Sequence, residues 1–234
     1  DRVVVSIYVN SLQFNSANDF SNYPRTAELD FELCKSADVD VVLSPLKSEM
    51  FPRDVVGLIA PSQDAQAFEG ADRPGHFSGV VTVVDRLFSI VQPSVAYFGL
   101  KDYQQVAVIN KMAEHLHPHI EIRPCETMRE ADGLAMSSRN RLMSPSARAS
   151  ATLIPLALRT AITHWHNGSK DSTEVTNVAR EVLHSDQNID IQYVAIVAAR
   201  TMNEVHTIND QDVIIVAVVI DGIRLIDNMQ FSNV

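Results

Sequence analysis

The run Val213-Ile214-Ile215-Val216-Ala217-Val218-Val219-Ile220 is followed by Asp221-Gly222 and then by Ile223-Arg224-Leu225-Ile226-Asp227-Asn228. Two strand-like runs joined by Asp-Gly leave the chain little choice. The dipeptide suits a two-residue turn, so the pattern predicts an antiparallel hairpin of Asp212 to Ile220 with Ile223 to Asn228. Its first run is the longest apolar stretch, and it is far too short to span a bilayer.

Working back from the hairpin, Ile189 to Val197 alternates as a strand, and two helices precede it. One opens at Ser144-Pro145, an N-cap followed by proline at the first helical position, and runs to His166 before Asn167-Gly168. The other covers Ser172 to His184. Earlier in the chain the order is different. Arg2 to Val9 reads as a buried strand, Ala27 to Ser36 as a helix with Thr26 as N-cap, and Val39 to Leu43 as a second strand. The stretch from Glu69 to Val80 carries three glycines and a proline and reads as an irregular loop. A helix from Val80 to Val91, a strand from Val95 to Phe98, a helix to about Leu116 and a strand from Ile120 to Arg123 follow. This switch from alternating β/α units to clustered elements predicts two domains. The first, 1–127, is a Rossmann-like α/β nucleotide-binding domain with a parallel sheet; the second, 128–234, is a smaller α+β domain.

The bulk numbers narrow the function. With 46% hydrophobic and 21% charged residues, the chain has the composition of an ordinary globular protein. Its formal charge of −10 argues against nonspecific binding to nucleic acid or to an anionic membrane. Cys34 and Cys125 form no CxxC pair, which disfavours a zinc site or disulfide framework. No signal peptide is visible, so the cytoplasm is the default compartment. Asp1 stands where an initiating Met would, which suggests a fragment.

Three stretches carry chemistry. Met136-Ser137-Ser138-Arg139-Asn140 sets two hydroxyls beside a guanidinium, donors that suit phosphate oxygens; a polar loop that caps a helix would look the same. Gly99-Leu100-Lys101-Asp102-Tyr103-Gln104-Gln105 lies between a strand and a helix, the arrangement of a phosphate or nucleotide cradle. Asn10-Ser11-Leu12-Gln13-Phe14 lies just past the carboxyl end of a strand, where open α/β sheets bind ligands. His76 reads as a catalytic base or as a structural residue that pins its loop, and Arg73 as an anion contact or an interface residue. The set His115, His117 and His119 lacks acid or thiol partners at metal-ligand spacing, and Pro118 ends the helix there.

The run Met128-Arg129-Glu130-Ala131-Asp132-Gly133-Leu134-Ala135-Met136-Ser137-Ser138-Arg139-Asn140 closely resembles a signature of the pantothenate synthetases (pantoate–β-alanine ligases). Four other stretches resemble that family, in family order and nearly end to end. The resemblance implies ATP-dependent condensation of pantoate with β-alanine through a noncovalent pantoyl adenylate, with release of AMP and pyrophosphate. It implies that Lys101, Ser137, Ser138 and Arg139 contact the phosphates as catalytic groups. Gly99, Leu100 and Asp102 would contact ATP, and the backbone at Met128 and Met136 would line the nucleotide site. Gln13 and Gln105 would hold pantoate, with Asn10 shaping that pocket, and Asp30 would help hold a magnesium ion (Mg2+). The second domain would close as a lid, and the working form would be a homodimer.

Several residues depart from the family pattern. Ser11 replaces a common Pro, Leu29 a usual acid and Leu100 a usual Glu. The family's nucleotide motif of two histidines around a glycine, HxGH, occurs nowhere in the sequence. The expectation is therefore that an amino-terminal unit is missing and that this chain alone is nearly inactive. The other readings are a related adenylate-forming enzyme acting on another acid, a nonenzymatic relative that binds nucleotide or a protein partner, and a scaffold with merely structural loops.

Overall fold

The computed structural model describes residues 2–15, 20–21, 23, 25–52 and 57–232. Asp1 and Pro24 lie outside them. Strand β1, Val4–Ser6, is followed by a 3-10 turn at Ser11–Gln13, helix α1 at Ala27–Ser36 and strand β2 at Val41–Leu43. β1 and β2 pair in parallel, Val4 with Val41 and Ser6 with Leu43. The expected buried strand from Arg2 to Val9 is thus only three residues long and half-exposed, with Val3 at 54% and Val4 at 38%. Among the described residues β1 pairs with β2 alone. Thr26 stands at the N-cap position of α1 but makes no capping bond; its hydroxyl donates to Asp30 Oδ1 at 3.1 Å.

Helix α2 spans His76–Val91 and starts four residues before the expected Val80. Two glycines disguise its first turn. Gly75 (φ +83°) supplies the left-handed residue that leads into the helix. Gly79 lies inside the first turn because backbone presses on it there: an added Cβ would come within 2.8 Å of the Gln13 nitrogen and closer still to the Leu12 carbonyl. Val80, Val81, Val83, Val84 and Phe88 form the buried face of α2. Strand β3 (Val95–Gly99), a 3-10 turn (Leu100–Asp102), helix α3 (Tyr103–Leu116) and strand β4 (Glu121–Cys125) follow. β3 and β4 form a separate two-stranded sheet, so among the described residues the parallel sheet expected of a Rossmann-like domain is divided into short pairs.

The predicted helix from Pro145 to His166 is two helices, α4 at Pro145–Ala151 and α5 at Leu153–His166. Pro155 explains the break. It has no N–H for the Ala151 carbonyl, and its ring crowds that carbonyl. Ser144 caps α4, accepting from Ala147 N at 3.2 Å, as predicted. Helix α6 spans Ser172–His184, and Asp171 caps it by accepting from Thr173 N and Glu174 N.

The closing sheet is antiparallel in the order β5 (Ile189–Val197), β6 (Val213–Ile220), β7 (Ile223–Gln230). Asp221 (φ +52°) and Gly222 (φ +74°) make the tight turn that the sequence predicts. In register, Ile220 faces Ile223 and Val213 faces Gln230. Only Val219 of β6 escapes full burial, which is why that strand reads as a continuous apolar run. The sheet shares one core with α5 and α6, built on Leu158, Ile162, Val175, Leu183, Ile214 and Phe231. Each such side chain contributes about 1.5–3 kcal/mol by leaving water.

Contacts along the chain divide it into two units, Asp1–Ala96 with Val108–Arg123, and Tyr97–Ala107 with Pro124–Val234. The later division falls four residues before the expected 127/128 boundary. Residues 97–107 join the second unit for a local reason. The Asn228 amide bonds the carbonyls of Leu100 and Lys101, and the Tyr103 hydroxyl donates to Ala199 O.

Candidate active site

In the first unit, Asn10 and Gln13 come together at the turn that follows β1. Asn10 is buried and its side chain is spent at both ends. Oδ1 accepts from Leu12 N at 3.2 Å, while Nδ2 donates to Gln13 Oε1 at 3.1 Å and to Gly79 O at 3.0 Å. The bond from Asn10 fixes the Gln13 amide with Oε1 toward Asn10, which turns its two N–H donors elsewhere. His76, also buried, holds the same turn from the first residue of α2. Its Nδ1 lies 2.9 Å from Gln13 O, and its Nε2 lies 3.2 Å from Arg73 Nη1. Arginine can only donate, so Nε2 accepts and Nδ1 carries the proton. With both nitrogens engaged, His76 has the contacts of a structural residue. It pins the Gln13 turn.

Asp30 lies on α1, in the same unit, and shares its carboxylate with Thr26. No group of three or more His, Cys, Asp or Glu that could hold a metal occurs among the described residues. A magnesium cage built from protein side chains alone is therefore absent from them; this ion ordinarily takes one or two carboxylates and completes its shell with water and substrate phosphates.

In the second unit, β3 ends at Gly99 and the chain enters the Leu100–Asp102 turn. Gly99 has an ordinary φ of −71°, and an added Cβ would meet no atom within 4 Å. Glycine there provides space and not an unusual backbone. Lys101 Nζ lies 3.7 Å from Asp102 Oδ1. Gln105 sits one turn into α3 and is half-buried, whereas Gln104 is buried. Tyr103 begins that helix. Burial, and secondarily the negative charge of Asp212, pushes its phenol above the ordinary 10.0, so it stays a donor.

The second loop of this unit folds back on itself. Met136 N donates to Met128 O at 2.9 Å, and Gly133 (φ +91°) makes the bend between them. The side chains of Met128 and Met136 are exposed, at 72% and 54%. Ser137 caps the 3-10 helix Ser138–Leu142 by accepting from Arg139 N at 3.3 Å. The helix-capping reading of this loop is therefore correct for Ser137. A hydroxyl that accepts one bond can still donate another, so capping and phosphate contact are compatible at Ser137. Arg139 Nη1 donates to Arg224 O at 3.4 Å, and Asn140 Nδ2 donates to Glu130 Oε1 and Ala135 O.

Sequence reasoning missed the residues that hold these loops. Arg129 makes a two-pronged pair with Asp227, Nη1 to Oδ2 at 2.7 Å and Nη2 to Oδ1 at 3.0 Å, and also donates to Gly133 O and Asn228 O. The Asp227 side chain is 1% exposed. Asn228 Nδ2 donates to Leu100 O at 2.8 Å and to Lys101 O at 2.9 Å. Two adjacent polar residues between the apolar Leu225-Ile226 and Met229 were the visible signal. Their partners, about a hundred positions away, left no trace in local pattern.

An α/β protein with an amide-rich turn after its first strand, and with lysine and serine–arginine loops held to one strand of its second unit, has the donors of a phosphate-handling enzyme. The family model for pantoate-β-alanine ligase matches residues 1–230, and the chain belongs to that family. The chain is 43% identical over 98% of its length to a pantothenate synthetase of Acidothermus cellulolyticus, covering 76% of that protein. It is 44% identical to one from Heliobacterium modesticaldum, covering 98% of the chain and 82% of the relative. A crystal structure of pantothenate synthetase from Thermus thermophilus superposes with a TM-score of 0.94 at 38% identity, covering 98% of this chain and 83% of that one. A pantoate-β-alanine ligase of Francisella tularensis, solved with β,γ-ATP and β-alanine, gives a TM-score of 0.78 at 32% identity, covering 100% and 81%. The match of the family model from residue 1 gives no support to the expected loss of an amino-terminal unit.

Proposed function

We propose that this protein joins pantoate to β-alanine at the expense of ATP, forming pantothenate, AMP and pyrophosphate. The pantoate carboxylate attacks the α-phosphorus of ATP, and pyrophosphate leaves. The β-alanine amine then attacks the acyl carbon of the pantoyl adenylate, and AMP leaves. Neither step needs a protein nucleophile. What the protein supplies is alignment of the carboxylate with phosphorus and donors for the charge that develops on the phosphates.

The observation that carries this reading is the tying of both cationic loops to one strand. Asn228 of β7 holds the backbone of Lys101, and Arg139 donates to the carbonyl of Arg224 on the same strand. Lys101, Ser137, Ser138 and Arg139 act on the phosphates, with Gly99, Leu100, Asp102 and the backbone of Met128 and Met136 along the nucleotide. Gln13, oriented by Asn10, and Gln105 donate to pantoate. Asp30 is the side chain that would help hold a magnesium ion, which would supply positive charge against the ATP phosphates. The protein works in the cytoplasm as a homodimer. None of the described helices is long and apolar enough to cross a membrane.

Pantoate-dependent exchange of labelled pyrophosphate into ATP isolates the first half-reaction. Lys101→Ala is expected to lower that exchange by about a hundredfold or more while binding of β-alanine is kept, because a preorganised charge on a phosphate is typically worth about 3 kcal/mol. Exchange that does not depend on pantoate would refute the substrate assignment.

A further inference from the structure

We infer that Asn228 is a positioning residue for Lys101, acting on catalysis through the backbone of the Leu100–Asp102 turn. The inference rests on the proposed role of Lys101 at the phosphates. Two consecutive carbonyls, of Leu100 and Lys101, are both bonded by the one Nδ2 of Asn228. A primary amide has the two hydrogens that such a pair requires; a carboxylate would set oxygen against oxygen, and a hydroxyl would serve only one. Asn228 is itself fixed on both sides. Its N–H donates to Asp227 Oδ1 at 2.8 Å, and its carbonyl accepts from Arg129 Nη2 at 3.2 Å. Arg129 in turn grips Asp227 and Gly133 O.

Asp227 and Asn228 thereby form a common footing. One holds the turn that carries Lys101, and the other holds, through Arg129, the loop that leads to Ser137, Ser138 and Arg139. The pair, itself buried, fixes one set of proposed phosphate donors relative to the other. Lys101 lies at the end of a long flexible stem, so its backbone anchor is what limits where the ammonium can reach.

The test is a double-mutant cycle in the intact enzyme, with exchange run on ATP, pantoate, magnesium and labelled pyrophosphate, and the overall ligation run separately with β-alanine. Asn228→Ala is expected to reduce kcat for pantoate-dependent pyrophosphate exchange by about tenfold to a hundredfold, with KM for β-alanine unchanged. In a Lys101→Ala background the same substitution is expected to cost nothing further, since its effect passes through Lys101. Wild-type kcat in Asn228→Ala, or losses that multiply independently in the double variant, would overturn the proposal. Where the alanine variant does not fold, Asn228→Asp, of equal size but lacking the donors, takes its place in the same cycle. The underlying reading fails differently: Lys101→Ala alone would then leave the exchange intact, and the positioning role would fall with it.

Discussion

Asn10 and Asn228 do the same work in the two units. Each is a buried amide with a fixed orientation that spends its donors on a neighbouring turn. Neither could be told from an ordinary strand-end asparagine by its local sequence. Gln13, with Asn10 beside it, Lys101 and Ser137 stand out in recognisable polar runs; the bonds of Asn228 do not, because a buried amide is defined by partners far along the chain. Asp132 shows the opposite case, a surface residue with a clear physical signature. Hydrogen bonding from Arg148 above all, and then from the backbone N–H of Leu134, holds its carboxyl below the usual 3.8. A lowered folded value means that the stabilisation is complete above about pH 4 and is lost as pH falls through that value. The pair is partly exposed, so it contributes at most about 1 kcal/mol. Asp132→Asn should lower Tm slightly at pH 7, less in high salt, and not at all below the folded value. A Tm difference that stays constant from pH 7 down to pH 2 would contradict this.

At the scale of elements, the sequence read well wherever a periodic pattern had a clear stop. Helix α6 and strand β5 run between the residues expected of them, and the Asp221-Gly222 turn joins β6 to β7 in the predicted manner. Two of the misreadings fall at glycine and proline. Gly75 and Gly79 made the start of α2 look like a loop, and Pro155 was read through because the apolar period continues past it. Gly79 also allows a prediction in which two effects compete. Alanine inside a helix is favoured over glycine by about 1 kcal/mol. Here its Cβ would strike the backbone of Leu12 and Gln13, and forced overpacking costs about 1–3 kcal/mol, or more when the obstacle is main chain. The clash prevails. Gly79→Ala should lower Tm and raise KM for pantoate by displacing the Gln13 turn, whereas an unchanged KM would separate that turn from substrate binding.

Across the whole molecule, burial is unevenly spread. The β5–β6–β7 sheet and the helices packed on it hold a continuous core, while α1 has no buried residue and exposes Leu29, Phe31 and Leu33. Local stability follows buried contacts. Amides of β6 should therefore exchange with deuterium slowest, and those of β1, β2 and α1 among the fastest in the described elements; equal protection would count against this distribution. The change in element order pointed to two units but carried no sign that residues 97–107 belong with the later one, since that depends on bonds from β7 and the loop at Ala199. That dependence reaches into biosynthesis. Ninety-eight residues separate Arg129 from Asp227, and at about 5–20 residues per second a ribosome needs roughly five to twenty seconds to cover them. For that interval the bonds from Asp227 and Asn228 to Arg129 and to the Leu100–Asp102 turn are missing. The nascent protein can fix the Leu100–Asp102 turn and the loop after Met128 to one strand only when β7 arrives.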